Sequence, residues 1–184
     1  VSLDALESAA SAELPPAAAY TAIPAGKLHA SMLSRRQSLS RLLTAELARG
    51  DLVAAELRDD NLWLDWRSAA LFANASAQLQ AQALVGLSRV ARWLRADGAS
   101  VLQIVGRQIA ADPDQLAERR VAAIAAFLIA EGAPAPRIRA QVVDISQAQF
   151  AQHSSTRAVD GFTLVVAAIV AGREALAWVP PADY

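Results

Sequence analysis

The chain contains no cysteine, which excludes disulfides, thiolate metal sites and cysteine nucleophiles together. Its two histidines, His29 and His153, are far apart and have no neighbouring cluster of metal-type side chains. No metal and no cofactor are expected. No apolar run approaches the roughly 20 residues of a membrane-spanning helix; the apolar stretch at 162–171 is of strand length. Neither sign of charge dominates. Lys and Arg number 17 against 18 Asp and Glu, a net charge of −1, which removes the electrostatic reason to expect nucleic acid. No Gly-rich phosphate loop follows a strand-like segment. Ser154-Ser155 beside His153 lacks the setting of an activated nucleophile, so no catalytic residue is assigned.

What is present is apolar. Hydrophobic residues make up 54% of the 184, enough for a folded domain with a real core. Much of that content is alanine, which favours helix without adding core volume. The prolines and alanines of residues 1–26 read as a linker or ordered arm. A helix is expected over residues 27–50, with Leu39, Leu42, Leu43 and Leu47 at helical spacing and Gly50 at the left-handed position past its end. Arg35, Arg36 and Arg41 read as its solvated face. Two strands, 52–57 and 62–66, flank the turn Arg58-Asp59-Asp60-Asn61, with Leu62, Leu64 and Trp66 on one face and Trp63 and Asp65 on the other.

A helix over 76–96 is expected from the stripe Leu79, Ala83, Leu87, Val90, Ala91 and Leu94. Strand 101–105 is almost wholly apolar, as a strand covered by helices should be, and Gly106 reads as its end. Asp112-Pro113-Asp114-Gln115 reads as a helix start. Asp112 is the expected cap, Pro113 takes the first helical position, and Gln115 stands where a capping-box residue reaches back. That helix runs to Glu131 and Gly132. Strands at 138–143 and 162–170 follow, with a polar stretch between them.

Two segments resemble the OmpA/MotB-like peptidoglycan-binding family. In that family a strand ends in Gly-x-Thr-Asp, and the next helix opens with Asn-x-x-Leu-Ser-x-x-Arg-Ala. Here Leu116-Ala117-Glu118-Arg119-Arg120-Val121 occupies the Leu-Ser-x-x-Arg-Ala positions. Leu71-Phe72-Ala73-Asn74-Ala75-Ser76-Ala77-Gln78-Leu79 is similar to Leu-Phe-x-x-Gly-Ser-Ala-x-Leu, with Ala75 in place of the glycine. Residues 42–79 look most like MotB-type stator proteins and the domains appended to type VI secretion components. The departures are equally specific. The family's ligand Asp falls on Ile109, its Asn falls on Pro113, and the loop between them is short.

The resemblance implies an α/β fold of order β-α-β-α-β-(α)-β, with helices on one face of a mixed four-stranded sheet and an extra N-terminal helix. The expected organisation is an arm (1–26), a helix (27–50), the OmpA-like domain (51–172) and an extended tail (173–184). In the family an Asp and an Arg clamp the zwitterionic end of diaminopimelate, the Asp on the ammonium and the planar Arg on the carboxylate. Of that pair only Arg120 aligns, with Arg119 beside it and Asp112 and Asp114 as substitute carboxylates. The bland alternative makes the Arg pair a solvated edge, or an ion pair with Glu118 or Asp114.

The resemblance therefore implies a non-enzymatic, periplasmic envelope module of a secretion or motor-type assembly, degenerate in its clamp and holding envelope proteins. The alternative is a working peptidoglycan anchor, and an enzyme on an α/β scaffold is a third class. Any signal peptide, lipid-bearing residue or membrane anchor would lie upstream of Val1. Trp63, Trp178 and Tyr184 are candidate partner contacts, since aromatic residues dominate interface hot spots, and a homodimer is the simplest assembly.

Overall fold

The computed structural model describes residues 21–109, 115–145 and 161–171. The expected arm up to residue 20, the tail beyond 171 and the residues Asp112, Asp114, His153, Trp178 and Tyr184 lie outside them. The described chain runs α1 (Leu28–Leu42), α2 (Thr44–Arg49), β1 (Leu52–Arg58), β2 (Asn61–Arg67), a one-turn α3 (Ser68–Leu71), α4 (Ala81–Ala96), β3 (Ser100–Ile109), α5 (Leu116–Ala130), β4 (Ile138–Ile145) and β5 (Gly161–Ala168).

The expected N-terminal helix is broken in two. The backbone leaves helical geometry at Leu43 (φ −103°, ψ 20°), and the Thr44 hydroxyl donates back to Ser40 O and Arg41 O. Its buried stripe is Met32, Leu39 and Leu43, whereas Leu42 is exposed. Gly50 closes α2 at φ 73°, as its position past the last turn predicts. Arg35 is not part of a solvated face. It holds the Asp97 carboxylate with Nη2–Oδ1 2.8 Å and donates from Nε to Ser100 Oγ at 2.9 Å. A second tie joins α2 to α4, where the buried Glu46 accepts from Arg89 Nη1 at 3.1 Å to each carboxylate oxygen.

β1 and β2 form a hairpin closed by two residues at positive φ, Asp59 (47°) and Asp60 (56°), the geometry that matches strand twist. The sheet has five strands, not the four expected, in the order β1-β2-β5-β3-β4. Every neighbouring pair is antiparallel except β3–β4, which α5 connects. The difference arises because β2 pairs on both sides, with β1 and with β5, so the whole hairpin joins the sheet.

The helices share one face of the sheet. Met32, Leu39, Leu43, Leu87, Leu94, Ile124 and Leu128 pack with Leu62, Leu64, Trp66, Leu102, Ile104, Leu164 and Val166 in one core. Each large side chain fully covered there contributes about 1.5–3 kcal/mol. Gly106 does not end its strand, which continues to Ile109. A Cβ on Gly106 would lie 2.5 Å from Val121 Cγ2, so the missing side chain is what lets α5 approach the sheet. Past α5, Gly132 takes φ 90° and stops the helix as its spacing predicts.

Candidate functional site

The candidate site is the start of α5 and the loop that faces it. Helix α4 begins at Ala81 rather than at residue 76, so residues 72–80 form a loop whose two ends meet in a bridge between Phe72 and Leu79. Gln80 ties this loop from below. Its Nε2 donates to Ala69 O (2.9 Å) and Phe72 O (2.7 Å), and its main-chain N–H to Leu71 O. Ala75 stands at φ 51°, the left-handed region that glycine enters freely and alanine only at a cost. The glycine of the resembling segment thus marks a real backbone requirement, met here under strain.

Arg120, half-buried on the first turns of α5, reaches into that loop. Its Nε donates to Ser76 O at 2.8 Å, Nη1 to Ser68 Oγ at 2.9 Å, and Nη2 to Ala73 O at 3.4 Å. The guanidinium carbon lies 5.0 Å above the centre of the Phe72 ring, within cation–π range. Phe72 in turn packs against Phe162 of β5, ring centres 5.3 Å apart. Arg120 is thus not a solvated edge. Its neighbour Arg119 is exposed. Gln115 occupies the residue before α5 at φ 50° and makes no capping bond with its side chain, contrary to the capping-box expectation. Ile109 lies in a paired strand, its backbone opposite Ile145 of β4, not in an open loop.

Trp63 does not stand on an exposed surface. It is 4% exposed and clusters with Val105 and Val165 on the sheet face away from the helices. Beside it is a polar cluster that composition and periodicity did not indicate. Thr163 Oγ1 donates to Asp65 Oδ1 (2.6 Å) and accepts from Arg107 Nη2 (2.6 Å). Arg58 lies 3.7 Å from the Asp65 carboxylate and 5.3 Å over the Trp63 ring. The alternation of β2 placed Asp65 on this face, but Thr163 reaches it from a strand 98 residues away, and Arg107 and Arg58 from two others.

A second arginine on main-chain carbonyls, Arg137, also escaped the sequence reading. It is buried before β4, with Nη2 donating to Leu94 O at 2.9 Å and Nη1 to Asp97 O and Ser100 O, so it closes the C-terminal end of α4. Burial lowers its pKa from the ordinary arginine value, and the Asp97 carboxylate opposes that shift. Among the described residues no group of three or more His, Asp or Glu side chains is placed to hold a metal. No described helix is long and apolar enough to cross a membrane.

No protein-family model matches the sequence, and no curated protein matches it. Solved structures do match. A MotB-like protein from Desulfovibrio vulgaris superposes with a TM-score of 0.66 at 15% identity, over 81% of this chain and 98% of that one. The cell wall anchor of the T6SS from Pseudomonas aeruginosa gives 0.55 at 22% identity, over 71% and 96%. The periplasmic domain of Helicobacter pylori MotB gives 0.50 at 16%, over 62% and 78%. At these identities the likeness speaks for the fold. Together with the sheet order and the placement of α5 beside the 72–80 loop, it establishes that this chain has the OmpA/MotB-like fold.

Proposed function

We propose that the chain is a non-enzymatic module of the bacterial cell envelope, exposed to the periplasm, in which the arginine of a former ligand clamp has become a brace of the fold. On this reading it holds protein partners in an envelope assembly and does not bind wall peptide. The similarity to MotB domains and to a T6SS cell wall anchor supports the setting. One observation carries the rest: the Arg120 guanidinium is engaged by Ser76 O, Ser68 Oγ and Ala73 O on the loop it faces. With three of its five N–H donors bonded to the protein, the guanidinium is held toward the loop and has at most two left to fork onto a ligand carboxylate.

The position of the expected ligand Asp supports the same conclusion. Ile109 offers no counter-charge for an ammonium, and a charge-assisted hydrogen bond contributes roughly 1.5–3 kcal/mol. At about tenfold in affinity per 1.4 kcal/mol, its loss removes most of the useful binding. Co-sedimentation with purified peptidoglycan sacculi tests the proposal. No saturable binding is expected. Saturable binding that is lost in Arg120→Ala and in Asp112→Asn or Asp114→Asn would replace the proposal with a working wall anchor using a substitute carboxylate.

A further inference from the structure

The chain's near-zero net charge conceals a strong separation. Residues 25–49 and 81–96, which hold α1, α2 and α4, carry eight basic residues (Lys27, Arg35, Arg36, Arg41, Arg49, Arg89, Arg92 and Arg95) and one acid, Glu46. That is 8 − 1 = +7, and since the whole chain is −1, everything else sums to −8. Glu46 is buried and held by Arg89, and two acids just past these segments, Asp97 and Asp51, pair with Arg35 and Arg49, so the surplus that the helices present is 8 − 3 = +5.

The contacts fix how these helices lie. Arg35 meets Asp97 past the end of α4, while Leu42 and Glu46 meet Arg89 further back along it, so α1–α2 and α4 run side by side and antiparallel. On α4 the buried stripe of Ala83, Leu87, Val90, Ala91 and Leu94 leaves Val85 and Arg92 on the side away from the sheet, while the exposed Arg95 lays its guanidinium over Gly132 at the end of α5. On α1 the stripe of Met32 and Leu39 leaves Arg41 facing outward. Arg41, Arg92 and Arg95 form no ion pair with any described residue, and Leu42 next to Arg41 and Val85 two helical turns before Arg92 are exposed.

We infer that this helical face is an interaction surface for an anionic phospholipid bilayer, held by its arginines with Leu42 and Val85 dipping below the headgroups. Two features favour a bilayer over an acidic protein. The outer row mixes arginines with aliphatic side chains, the pattern of interfacial helices whose basic residues snorkel. It also shows no exposed aromatic anchor of the kind that dominates protein hot spots. The inference stands apart from the wall reading, since it uses none of the residues around Arg120.

Flotation with vesicles of phosphatidylcholine containing 30% phosphatidylglycerol, against pure phosphatidylcholine, tests it with the full chain. The expected result is binding to the anionic vesicles only, weakened by salt. A contribution of about 1 kcal/mol per basic residue is roughly fivefold in affinity. The triple variant Arg41→Gln, Arg92→Gln, Arg95→Gln should therefore bind on the order of 100-fold more weakly. Circular dichroism should show it folded, and Arg120→Ala should bind vesicles as the parent does. Absent binding to anionic vesicles, equal binding to neutral ones, or an unaffected triple variant overturns the inference. So does salt-sensitive binding of the same face to sacculi, or to a second copy, in place of vesicles.

Discussion

Arg120 and Arg137 invite comparison because each aims a guanidinium at main-chain carbonyls. Arg137 closes the end of α4 through Leu94 O, Asp97 O and Ser100 O, buried, with a carboxylate close enough to oppose the desolvation. Arg120 joins α5 to the 72–80 loop through Ser76 O and Ala73 O, half-buried, with the Phe72 ring beneath it. The first directs its donors at carbonyls of a buried helix end. The second stands where the family resemblance expects a ligand arginine, yet it makes the same kind of bonds. What differs is depth, and depth sets how much stability each should carry.

The largest effect is expected from Arg137→Ala. It strips the donors from three carbonyls at a buried helix end, a loss of about 3 kcal/mol. Urea unfolding should show it as a lower midpoint with an unchanged slope. Arg120→Ala should lose about 2 kcal/mol, because solvent can reach part of the vacated site. At roughly 2–4 °C per kcal/mol for a chain of this size, that is a drop in Tm of about 4–8 °C. A neutral Arg120→Ala would break the comparison, since a brace must be felt when it is removed.

Ala75→Gly sharpens it from the other side. Relief of the left-handed backbone, less the added freedom of glycine in the unfolded chain, should stabilise by about 0.5–1 kcal/mol. Thermal melts of the single variant and of its combination with Arg120→Ala would show whether loop strain and brace are coupled. The smallest effect belongs to Arg119→Ala. As an exposed side chain, its loss should stay within about 0.5 kcal/mol in the same melts.

The parts of this molecule legible in its sequence are those written in local chemistry. The turn at Asp59-Asp60, the helix stops at Gly50 and Gly132, and the buried stripe of α4 follow from backbone freedom and helical spacing. Where the reading failed, a distant segment decided the outcome. Gly106 looked like a strand end, but it is kept small by Val121 of α5, which presses on it from above. Trp63 looked like a surface aromatic because strand alternation put it opposite the core, yet β2 is covered on both faces and buries five residues in a row, Leu62 to Trp66. Arg35 looked solvated because its carboxylate lies 62 positions away.

The site divides in the same way. The motif placed Arg120 correctly at the start of α5, and the missing glycine pointed to Ala75. What Arg120 bonds to was invisible, because its acceptors are main-chain carbonyls, and every residue carries one. Sequence can reveal a missing Asp more readily than main-chain carbonyls that occupy an arginine's donors.

The account turns on whether Arg120 is held by the protein or offered to a ligand. NMR of the Arg120 Nε–H during titration with a diaminopimelate-containing muropeptide addresses this most directly. The expected signal exchanges slowly, protected by the bond to Ser76 O, and does not move as muropeptide is added. A saturable shift of that signal, with its exchange altered by the ligand, would contradict it and return Arg120 to the role of a binding residue.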